Sequence, residues 1–92
     1  MSAQPNRPYA SDPREPTLHE LPPLRIADQV ITVQVTVRWS DGAWRGRLRF
    51  TPPEGLDRET AEIFCGPTQE ELWRSVASIG NYHLRSLYQS LS

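Results

Sequence analysis

The chain has 92 residues, a formal net charge of −1 at pH 7 and one cysteine, and all of its basic residues are arginine. That length fits one domain, and the near-neutral balance gives no general attraction to nucleic acid or to a membrane. One cysteine excludes an internal disulfide framework and a cysteine-based zinc site. No stretch approaches the ~20 apolar residues that span a bilayer, and the N-terminus has no signal-peptide core, so a soluble, cytoplasmic protein is expected.

Residues 1–23 hold Pro5, Pro8, Pro13, Pro16, Pro22 and Pro23 among small polar residues. Proline removes backbone donors, and little apolar surface is present to offset the entropy of ordering, so this segment is expected as a disordered tail. Leu18, Leu21, Leu24 and Ile26 in "LHELPPLRI" are more apolar. They read as an extended lead-in to the first strand, or as a segment that docks on the domain or on a partner. The domain proper is expected over 24–92.

From Gln29 the pattern alternates strictly. Ile31, Val33, Val35, Val37 and Trp39 fall on one side, and Thr32, Gln34, Thr36 and Arg38 on the other. Period two with β-branched enrichment predicts a strand. Asp41-Gly42 then suits a type I′ turn, whose central residues both need positive φ. With those two as the loop, Trp39 faces Trp44, Val37 faces Gly46, Val35 faces Leu48 and Val33 faces Phe50. A slip of one residue would scramble both faces. Trp39 and Trp44 fall at a non-hydrogen-bonded position, where cross-strand side chains approach closest.

Pro52-Pro53 ends the second strand, and the polar loop Glu54–Glu59 follows. A third short strand fits Thr60 to Cys65, with Ala61, Ile63 and Cys65 toward the core and Phe64 competing with that phase. Thr68 with Glu71 forms a capping box, and Glu70 and Glu71 suit the positive end of a helix dipole. Leu72, Val76, Ile79, Gly80, His83, Leu84, Leu87 and Leu91 recur at spacings of three and four. They predict one amphipathic helix of roughly twenty residues, ~30 Å long. Gly80 is a poor helix former inside it, which close approach of another element would explain.

The expected fold is therefore α+β in two layers, β-β-β-α: a three-stranded antiparallel sheet covered on one face by one long C-terminal helix. Such a domain is small, and its helix outruns three strands, so a homodimer sharing the helix or a sheet edge is expected.

In this register Arg38 faces Arg45, Thr36 faces Arg47 and Gln34 faces Arg49, so four guanidiniums lie on the face opposite the tryptophans. Like charges across a ladder are unfavourable and call for compensation. The plain reading is a solvated face with Glu62 and the Glu54–Glu59 loop as counter-charge. The functional readings are an acidic protein partner or nucleic-acid phosphates, because arginine forks suit both carboxylate and phosphate. Arg38, Arg45, Arg47 and Arg49 are thus the candidate partner- or anion-binding residues.

Cys65 precedes a helix N-terminus, but a nucleophile needs a base. His83 lies fifteen residues beyond Thr68, about 22 Å along a helix. Cys65 therefore reads as a buried structural thiol, His83 as a packed, hydrogen-bonded histidine, and Trp39, Trp44 and Trp73 as core. No catalytic residues, metal ligands or cofactor are expected.

At "CGPTQEELWRSV" the chain resembles the HicB-like antitoxin family, through the helix start at Gly66, Pro67, Thr68, Gln69, Glu70 and Glu71. The resemblance implies a dimeric β-β-β-α domain that binds and blocks a small toxin ribonuclease. The expectation is a non-catalytic, antitoxin-like protein-binding module. The alternative is a nucleic-acid-binding domain using the arginine face.

Overall fold

The computed structural model describes residues 15–91. Strands β1 (Thr17–Ile26), β2 (Gln29–Ser40), β3 (Ala43–Thr51), β4 (Arg58–Glu59) and β5 (Phe64–Gly66) are followed by helices α1 (Gln69–Ala77) and α2 (Asn81–Ser90). The antiparallel sheet runs in the order β1-β2-β3, with β4 and β5 both on the far edge of β3. The fold is α+β, as expected, with both helices contributing to the core on one face of the sheet.

The β2–β3 hairpin has the register the alternation predicts, from Ser40 opposite Ala43 to Val33 opposite Phe50. Asp41 (φ 53°) and Gly42 (φ 76°) both take positive φ, the type I′ geometry that matches strand twist. Ile31, Val33, Val35, Leu48 and Phe50 are fully buried under the helices. At ~1.5–3 kcal/mol for each buried side chain of this size, they are the main source of stability.

Three features differ from the expected layout. The tail expected over 1–23 lies outside the described residues as far as residue 14, but Thr17–Pro23 belong to β1. β1 pairs with β2 from Thr17 opposite Val37 to Ile26 opposite Gln29. Its register shifts between Leu21 and Leu24, where Pro22 and Pro23 stand against the single residue Thr32. A two-against-one bulge flips the phase of a strand. Leu21 and Leu24, three apart, therefore both join the core side. Proline is tolerated because β1 is an edge strand, whose outer donors are unpaired anyway.

The third strand is split. β3 has only Arg47 and Leu48 between its pairings with β5 and β4, whereas the opposing chain has Thr60 to Ile63. The excess forms a bulge of two residues, an even number, so the phase is the same on both sides of it: Glu59 shares the outer side with Arg49, and Phe64 shares the inner side with Gly46. Phe64 is buried, while Ile63 (44% exposed) and Cys65 are exposed, so the assignment of Ala61, Ile63 and Cys65 to the core is corrected. Buried Thr60 holds the gap closed. The Leu48 N–H donates to Thr60 Oγ1 (3.0 Å), and the Thr60 N–H donates to the Leu48 carbonyl (3.0 Å).

The single long helix is two helices. α1 is capped by Thr68, whose Oγ1 accepts from the Glu71 N–H at 3.1 Å. It ends at Ser78, and the chain is extended at Gly80 (φ −92°, ψ 165°) before α2 begins. Nothing lies within 4 Å of a Cβ built on Gly80, so close approach does not explain this glycine. It marks the break. The break brings Leu84 and Tyr88 onto the sheet, with the Tyr88 ring 5.4 Å from that of Phe50. The 30 Å helix that called for a second copy is therefore absent from this fold.

Candidate functional site

The face of the sheet opposite the helices carries no covering element among the described residues. Cross-strand neighbours share a face. Leu18, Glu20, Thr36, Gln34, Arg38, Arg45, Arg47 and Arg49 therefore share this outer face, as the register requires. Cys65, opposite Arg45, joins them.

The structure brings the four arginines together and gives each a different tie. Arg38 donates twice to Glu62, from Nε at 2.6 Å and from Nη2 at 3.0 Å. The bulge at Thr60–Ile63 carries Glu62 back over β3 to reach it. Arg49 donates from Nε to Asp57 at 2.9 Å, with Nη2 on the same oxygen. Arg47 lies 3.9 Å from Glu59, a looser contact. Arg45 donates to the Ser40 carbonyl at 3.0 Å. Counter-charge thus comes from Glu62, from Asp57 in the loop before β4 and from Glu59 in β4 itself.

These contacts shift the carboxyls in a consistent direction. The hydrogen bond from Arg38 holds the Glu62 carboxyl below its ordinary value, with Arg45 and Arg47 adding to the attraction against the opposing effect of burial. Asp57 is lowered in the same way by Arg49, with Thr51 contributing. Glu62 therefore sits among three guanidiniums, and the face is a mixed-charge lattice in which Arg45 and Arg47 are the less tightly held cations.

The other sequence-marked residues do not form a second site. Trp39 and Trp44 stack edge-to-face at 5.5 Å, as the hairpin register requires, and Trp73 stacks against His19 at 4.9 Å. All three are half-buried at the margin of the core rather than inside it. Cys65 is exposed, not a buried structural thiol, and His83 is exposed rather than packed. A groove of about 340 Å³, lined in part by Leu21, Pro22, Trp73 and Ile79, was not foreseen. Its walls come from β1, from both helices and from Ile79 at the break between them.

Among the described residues, no three His, Cys, Asp or Glu side chains are grouped to hold a metal ion, and no helix is long and apolar enough to cross a membrane. No family model, curated protein or solved structure matches the chain.

Proposed function

We propose that this protein is a non-catalytic protein-binding module whose contact surface is the open outer face of the sheet. The observation that supports this reading is the carboxylate beside each of Arg38, Arg47 and Arg49. A surface built to hold phosphates leaves its cations free for counterion exchange. Here a phosphate would have to displace Glu62 from Arg38 and Asp57 from Arg49. A protein partner meets the same lattice as a fixed pattern of both signs, which favours specificity over bulk attraction. Exposed Leu18 adds apolar area on this face, and Arg45 and Arg47 supply the guanidiniums that a partner's carboxylates can engage. The narrower form of the proposal is an antitoxin-like blocker of a small ribonuclease, and it rests on the resemblance at Gly66–Glu71.

The test is affinity capture of the tagged protein with and without nuclease, alongside an Arg45→Gln/Arg47→Gln double variant. The expected result is one stoichiometric protein partner that survives nuclease and is lost in the variant. Co-purifying nucleic acid, with affinity that falls steeply with salt and with the same substitutions, would replace this reading with the phosphate-binding one.

A further inference from the structure

We infer that α2 is an exchangeable arm. In a dimer Ser78–Gly80 becomes helical, α1 and α2 fuse, and each chain's Leu84 and Tyr88 occupy the seat on the sheet of a second copy.

Four observations carry this. The apolar stripe of Leu72, Val76, Ile79, Leu87 and Leu91 keeps its spacing of three, four or eight residues straight through the break, so a fused helix has one continuous apolar face. The break itself is weakly specified. α1 starts with a Thr68 side-chain cap and acidic residues in its first turn. α2 starts at Gly80 with no side-chain cap bond, and it has no acidic residue in its first turn and no basic residue in its last. The break is also bordered by open grooves, with Ile79 lining both the 340 Å³ groove and a second of about 270 Å³.

The fourth observation identifies the occupant. α2 is held by two buried side chains, Leu84 and Tyr88, and by Arg58, which donates to the Tyr88 carbonyl at 3.0 Å and lies 4.2 Å from the centre of its ring. Each of these contacts joins α2 to the part of the chain before the break, so each can re-form unchanged between two copies. A fused helix carries α2 away from its own sheet and uncovers Phe50. Another α2 is the element shaped to cover it. Exchange through so short a hinge leaves only the hinge residues and association entropy to set the balance.

Two substitutions push this balance in opposite directions, and each fits the broken form. Gly80→Ala meets no atom within 4 Å, and the backbone there is ordinary extended chain. In a fused helix alanine gains about fivefold over glycine at each hinge, roughly 25-fold for a dimer with two. Asn81→Pro places proline at the first residue of α2, where its missing N–H and fixed φ suit the helix start. The extended Gly80 before it is the conformation proline demands of its predecessor. Inside a fused helix the same proline disfavours the dimer by more than about 100-fold per hinge.

Size-exclusion chromatography with light scattering, over a range of protein concentrations, reads the result. The expected outcome is a dimer that Gly80→Ala enriches and Asn81→Pro suppresses. A Gly80→Ala protein that stays monomeric at every concentration overturns the inference. So does a dimer that Asn81→Pro leaves intact, because it must then form through another surface. Neither result depends on whether the outer sheet face binds a protein.

Discussion

The two faces of the sheet are built on different physics from the same alternating strands. The inner face is specified by shape: Ile31, Val33, Val35, Leu48 and Phe50 are fully buried, and a Cβ on buried Gly66 would stand 2.9 Å from the Leu72 backbone nitrogen. The outer face is specified by charge, through three arginine–carboxylate pairs whose side chains remain a quarter to nearly half exposed. Close packing loses energy for every displaced methylene, whereas exposed ion pairs are screened and contribute little. The inner face therefore holds the fold together, and the outer face is free to be varied for recognition.

The largest break in this contrast is Phe50→Ala, which empties the centre of the inner face and removes the contact with Tyr88. It should cost about 3–5 kcal/mol, read as a fall in the urea midpoint. A loss comparable to that of an exposed site would show that α2 does not seal the core.

Thr60→Val is a sharper probe, because it keeps the volume and deletes one hydroxyl. The Leu48 N–H then loses its acceptor in a buried place, and the expected cost is about 1–3 kcal/mol by the same assay. Faster amide exchange at Leu48 should accompany it.

The smallest effect belongs to Glu62→Gln on the outer face. The folded Glu62 carboxyl is lowered by Arg38, so its contribution is present in full above the ordinary carboxylate range. It is lost as pH falls through the depressed folded value. The variant should therefore be slightly less stable than the wild type at neutral pH and equal to it in strong acid, and added salt should also shrink the gap. A difference that grows on acidification would overturn this assignment of the ion pair.

The arginine face was legible in the sequence because it depends on one register, and that register follows from an Asp-Gly turn between two alternating runs. The carboxylates were legible only as a supply of charge near the right strand. That Glu62 is the acid that meets Arg38 depends on the bulge at Thr60–Ile63. That bulge arises because four residues must span a gap that β3 crosses with two. Cys65 is exposed because Phe64 takes the inner position opposite Gly46, which leaves Cys65 opposite Arg45 on the outer side. The groove beside Trp73 had no signal in any single segment, because its walls come from β1 and from both helices.

The sequence by itself determined the β2–β3 hairpin, its register, the segregation of arginines from the core and the Thr68 helix start. All are decided by interactions within a few residues or across one tight turn. Tertiary structure decided the rest. Pairing with β2 turned a proline-rich lead-in into β1, because an edge strand needs donors on one side only. Burial of Leu84 and Tyr88 broke a continuous helical pattern at Gly80, because the stripe's apolar face gains more against the sheet than three helical residues gain from staying in line.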